Sequence, residues 1–109
     1  MVKKYYSKLI RDRIPEIIEK NGGKYETRVL GKREFEKELK KKLIEESKEA
    51  FSAPRKDLVN ELSDVLEILK SVASYYKIDF KKIERHQAKK RKERGGFAKR
   101  LFLIWSSSK

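Results

Sequence analysis

The sequence predicts a mainly α fold, an antiparallel helical bundle with one or two short strands, and three observations predict it. Apolar residues recur at helical spacing over 32–51 and again over 54–77. Only the break Ser52-Ala53-Pro54 separates the two runs, too short for anything but a tight turn between antiparallel neighbours. Helix start and stop signals bracket further segments on either side. At 109 residues the chain is expected to form a single domain, 1–109, with a modest core.

The elements follow in order. Residues 1–13, MVKKYYSKLIRDR, read as a loosely ordered basic start. A short helix is expected from Ile14 to Lys20, with Pro15 at its beginning and Asn21-Gly22-Gly23 at its end. In KYETRVL, Tyr25, Thr27 and Val29 alternate with polar residues as in a short strand. The second helix should run from Lys32 to Phe51. At 100° per residue, Phe35, Leu39, Leu43 and Ala50 form one stripe, with Glu46 inside it and Glu49 at its edge. Glu45 points away, and Ile44 and Phe51 make a smaller apolar zone opposite. The third helix should run from Pro54 to Lys77, with Leu58, Leu62, Val65, Leu69, Val72 and Tyr76 as its core stripe. Glu61 lies on the shoulder of that stripe, in line with Ile68 and Tyr75, and Asp64 flanks it further round. Ile68 and Tyr75 widen the apolar surface and suggest a subunit interface. Asp79 is the expected N-cap of a fourth helix, from Phe80 to Glu93. Gly95-Gly96 break it, and Phe97 to Trp105 reads as a second strand that would pair with KYETRVL.

Composition bounds the function. Charged residues make up 43% of the chain and apolar residues 38%, and 30 Lys+Arg against 17 Asp+Glu give a formal charge of +13. That surplus points to an anionic partner, a phosphorylated small molecule or nucleic acid. Without cysteine there is no disulfide or thiol chemistry. The start lacks the apolar core of a signal peptide and no run is long enough to span a membrane, so a cytoplasmic location and no membrane partner are expected. No Ser-His-Asp or Cys-His set is apparent. The one histidine, His86, reads as a solvated surface residue, and Trp105 and the Tyr5-Tyr6 pair as packing residues.

Against this basic background, the acids of residues 45–64, EESKEAFSAPRKDLVNELSD, stand out. Residues three apart share a helix side, so Glu46/Glu49 and Glu61/Asp64 each form a two-pronged oxygen donor. A carboxylate inside an apolar stripe costs several kcal/mol if ionised and unpaired. Four of them facing across a helix pair call for a hard cation, Mg²⁺ or alternatively Mn²⁺.

Glu45-Glu46-Ser47-Lys48-Glu49 followed by Glu61-Leu62-Ser63-Asp64 resembles the EExxE…ExxD signature of MazG-type nucleotide pyrophosphohydrolases, an all-α superfamily that also contains phosphoribosyl-ATP pyrophosphohydrolase. Lys8-Leu9-Ile10-Arg11-Asp12-Arg13-Ile14-Pro15 and Arg94-Gly95-Gly96-Phe97 resemble stretches of its small MazG-like subgroup. The resemblance implies hydrolysis of a nucleoside triphosphate between the α- and β-phosphates, giving a monophosphate and pyrophosphate, in a house-cleaning role. It implies metal ligation by Glu46, Glu49, Glu61 and Asp64. Glu45 and Glu46 become the catalytic candidates, Glu45 to hold a second ion or orient the attacking water. Lys8, Arg11, Lys90 and Arg94 are the candidate phosphate cations, with Asp12 orienting Arg11 by an ion pair. Gly95 and Gly96 serve either as a helix stop or as a close backbone approach to phosphate. Phe97 reads as a core residue or as a base-stacking one. A homodimer or homotetramer is expected, because one short helix pair cannot enclose a nucleotide. Two alternatives stand beside this reading: a non-enzymatic nucleic-acid-binding module built on residues 81–100, and phosphoribosyl-ATP pyrophosphohydrolase itself.

Overall fold

The computed structural model describes residues 2–108. It is mainly helical, with α1 (Ile14–Lys20), α2 (Lys32–Ser52), a 3₁₀ turn (Arg55–Asp57), α3 (Leu58–Tyr75) and α4 (Phe80–Arg94). The chain falls into two compact units, the first ending at Lys77 and the second beginning at Ile78.

In the first unit, α1 carries Pro15 in its first turn, where a missing N–H costs nothing. It closes as a Schellman motif: Gly23 N–H donates to Ile18 O and Gly22 N–H to Glu19 O, each at 2.9 Å, with Gly22 at φ 80°. Between α2 and α3, Pro54 is extended (φ −66°, ψ 155°), so it precedes the 3₁₀ turn instead of starting α3 as the sequence suggested. The turn reverses the chain, and α2 and α3 pack as an antiparallel hairpin, the sole helix–helix packing of this unit among the described residues.

The hairpin differs from the sequence expectation in the rotation of α3. Its half-buried line is Leu58, Glu61, Val65, Ile68, Val72 and Tyr75, with Asp64 beside it. Leu62 stays 53% exposed, and Leu69 and Tyr76 are exposed as well. The expected stripe and the observed one share Leu58, Val65 and Val72, and they differ by about 50° of rotation. What α3 meets on α2 decides between them. The Tyr75 ring lies 5.5 Å from that of Phe35 and 4.9 Å edge-on from that of Tyr76. The Tyr75 hydroxyl donates to the Lys32 carbonyl at 3.2 Å and to Glu36 Oε2 at 3.4 Å. Tyr76 donates to Glu36 Oε1, which also takes Lys40 Nζ at 3.3 Å. Ile68 and Tyr75 therefore belong to the inside of the hairpin and not to a subunit interface. On α2 the inward side chains include Phe35, Leu39, Leu43, Glu46 and Ala50, as the periodicity predicts. Leu39 (4% exposed) and Ala73 are the buried residues among those described.

In the second unit, the Asp79 carboxylate caps α4 by accepting from Lys81 N–H at 3.0 Å. α4 ends where Gly95, at φ 85°, donates to Arg91 O at 2.8 Å. Neither expected strand forms: residues 24–30 and 97–105 carry no ladder, and among the described residues there is no strand. Alternating apolar residues favour a strand only where a second backbone stands alongside to take its hydrogen bonds. Phe97 and Leu101 to Trp105, expected as strand and packing residues, are exposed. Among the described residues no helix is long and apolar enough to cross a membrane.

Leu39 fills the centre of the seam, so Leu39→Ala should cost about 2–4 kcal/mol in denaturant unfolding. The exposed Ile44→Ala should change stability by under about 0.5 kcal/mol.

Candidate metal centre

The turn end of the hairpin carries the acids. Glu46, on the inward face of α2, and Glu61 and Asp64, on the inward side of α3, each place a carboxylate oxygen within 4.8 Å of the others. All three are half-buried. The local cause is the register of α3: with Val65, Ile68 and Tyr75 turned to α2, Glu61 and Asp64 must face it too. Three hard oxygens from two helices, with open solvent beyond, are a donor set that fits Mg²⁺ or Mn²⁺, whose remaining positions water or phosphate would fill.

Glu49 and Glu45 stand outside this group of three. Both line an open concavity at the turn with Lys48, Ser52, Ala53, Pro54, Asp57 and Glu61. Glu49 still bears on Glu61, whose carboxyl is held above the usual carboxylate range. Partial burial is the largest cause, followed by the negative charges of Glu49, Asp64, Glu46 and Asp57. Asp57 escaped the sequence reading. The signal for it was its position four residues before Glu61, on the same helix side.

Two protein cations offset part of the acidity. Arg11 Nη2 stands 2.8 Å from Asp64 Oδ1, and Lys42 Nζ lies 3.6 Å from both Glu45 Oε1 and Glu46 Oε1. Lys42 and Glu46 are mostly covered, with side-chain exposures of 17% and 14%. Lys42 was also missed, although it precedes Glu46 by four residues, the spacing of a helical ion pair. Arg11, expected as a phosphate cation oriented by Asp12, pairs with Asp64 across 53 residues of sequence. Local adjacency lost to a carboxylate at better reach and in a less hydrated place. Lys8 is not among the acids: its Nζ lies 5.2 Å from the centre of the Tyr6 ring, a cation–π contact.

Lys90 and Arg94 belong to the second unit. They line a separate concavity there with Gln87, Arg91, Gly95, Gly96 and Phe97. The Arg91 guanidinium covers Gly96 so closely that a Cβ there would stand 2.9 Å from its Nη1. Gly95 is the helix stop, and the close approach at Gly96 is to an arginine of the same unit.

Glu61 yields a pH prediction. A carboxyl raised in the folded state binds its proton more tightly there than in the unfolded chain. Stability is thus lost as pH rises from the unfolded value, about 4.3, through the folded one. Glu61→Gln should melt above the native chain at pH 7, with the difference closing below about pH 4. Thermal unfolding across that range checks it, and no difference at pH 7 would show the carboxyl to be unstrained.

No protein-family model, curated protein or solved structure matches this chain.

Proposed function

We propose that this chain is a Mg²⁺-dependent nucleoside triphosphate pyrophosphohydrolase of the MazG-like kind, a helical bundle acting in house-cleaning of nucleotide pools. The observation that carries the reading is the meeting of Glu46, Glu61 and Asp64 oxygens within 4.8 Å on the inward face of a helix hairpin. A solvated acidic face would have turned them outward.

In this reading Glu46, Glu61 and Asp64 hold the cation, and Glu49 joins them from the rim, its charge already acting on Glu61. Bound Mg²⁺ would supply Lewis-acid polarisation of the phosphate oxygens. In the same reading Glu45, nearly half exposed at 46% and on the concavity wall, takes the proton of the attacking water. Attack occurs in line at the α-phosphorus and pyrophosphate leaves. Arg11 brings a bidentate phosphate donor to the side of Asp64, and Lys48 adds a point charge on the wall. Lys8, Lys90 and Arg94 remain phosphate-binding candidates through the family resemblance alone. One hairpin cannot enclose a nucleotide, so the active form is a homodimer or homotetramer.

Pyrophosphate release from a panel of ordinary and damaged nucleoside triphosphates, with and without Mg²⁺, tests the activity. Turnover should require the metal and give the monophosphate. Glu46→Ala and Asp64→Ala should each lower kcat by at least about 100-fold with the helical signal intact. Full activity in both variants would remove the metal assignment.

A second reading, a polyanion-binding module, is favoured by one observation. α4 carries eight Lys/Arg against two Glu, and Lys90, Arg91 and Arg94 line a concavity beside the exposed Phe97 ring. It calls for binding of single-stranded nucleic acid that weakens steeply with salt and ignores Glu46→Ala.

A further inference from the structure

The second unit leaves its most apolar stretch in water. Phe97 and the run Leu101-Phe102-Leu103-Ile104-Trp105 are 77% to 97% exposed, and residues 101–105 belong to no helix or strand. The Arg100 N–H donates to Phe97 O at 3.0 Å, a tight turn that sets the run off from α4. Single exposed apolar residues are ordinary, but so dense a group marks a contact surface. The chain leading into it is cationic: residues 81–100 hold ten Lys/Arg against Glu84 and Glu93, and no acid follows Glu93.

We propose that this C-terminal segment attaches the chain to an anionic lipid bilayer surface. Leu101 to Trp105 enter the interface, while the cations of α4 and Lys99-Arg100 meet the headgroups. Clustered Lys and Arg gain from anionic headgroups. An apolar run gains from the acyl boundary, and stable attachment takes two such signals together. Trp105, the last apolar residue before Ser106-Ser107-Ser108, is of the type that settles where acyl chains meet water. So short a run lies in the interfacial zone, where water still reaches its backbone groups, and no membrane-crossing helix is needed. Nucleic acid would use the cations and Phe97, but Leu101, Leu103 and Ile104 offer no face on which a base stacks. A second copy of this segment would bring like charge against like. Such attachment is independent of both readings of function and holds whether or not the hairpin acids take a metal.

Trp105 is the sole tryptophan of the chain, so its emission reads the segment directly. With the full chain, phosphatidylcholine vesicles containing phosphatidylglycerol should shift that emission to the blue, and bromine on their acyl chains should quench it. Vesicles of phosphatidylcholine alone should do neither. Phe102→Asp with Ile104→Asp should weaken co-sedimentation with the anionic vesicles at least about tenfold, as should Lys90→Glu with Arg91→Glu. All four residues are exposed, so the helical signal should persist in both variants. Unmoved emission with anionic vesicles would overturn the proposal, and so would equal binding to neutral ones. Emission already blue without vesicles and unchanged by them would overturn it in favour of a protein contact. A change with single-stranded poly-dT but not with vesicles would overturn it in favour of nucleic acid.

Discussion

The rotation of α3 against α2 is the constraint on which the rest depends. It is held at the end remote from the turn, where the Tyr75 ring meets Phe35 and its hydroxyl reaches the Lys32 carbonyl and Glu36. A helix is stiff enough to carry that setting along its length. At the turn end the consequence is Glu61 and Asp64 facing Glu46. A rotation of about 50° would bring Leu62, Leu69 and Tyr76 inward and turn Glu61 away. The hairpin would then have the more apolar seam and no acidic centre. An aromatic clasp at one end thus fixes a costly arrangement of charge at the other, a conflict between packing and charge of the sort found at functional sites.

The acids are not left to repel one another unrelieved. Arg11 from the segment before α1 and Lys42 from the preceding turn of α2 each neutralise one side. Glu61 has no ion pair among those of the described residues, and its carboxyl is the one raised. Arg11, one of the expected phosphate cations, is found beside the acids, and it arrives by a long-range pair that adjacency in sequence would not suggest. Its position couples the basic start of the chain to the acidic turn through Arg11, which lies outside any helix.

Surplus positive charge concentrates in the second unit, on α4, while the helix that carries the acidic centre is the least basic of the long ones. Much of the surplus behind the formal charge of +13 thus lies on α4 and not on α3. On α3 the line turned to α2 includes Glu61, whereas the outer line of Val59, Leu62, Leu66 and Leu69 carries no charge.

Much of this was legible in the sequence. The four helices followed from local chemistry, since the Asn21-Gly22-Gly23 stop, the Asp79 cap and the Gly95 stop act within one turn of chain, although α3 begins at Leu58 after a 3₁₀ turn and not at Pro54. The inward position of Glu46 followed as well, because the main apolar stripe of α2 contains it. Tertiary structure decided what depends on a partner. Leu58, Val65 and Val72 fit two stripes equally well, and only Phe35, Lys32 and Glu36 across the hairpin select the one containing Glu61, Ile68 and Tyr75. Residues 24–30 and 97–105 alternate like strands, yet a strand exists only where another backbone completes its hydrogen bonds. Arg11 was visible as a cation, but its carboxylate lies 53 residues away, beyond any local pattern. The sequence by itself determined which segments coil and where each one ends, because those are short-range interactions. Which face each helix presents, and hence where the carboxylates converge, was settled by contacts between elements far apart in the chain.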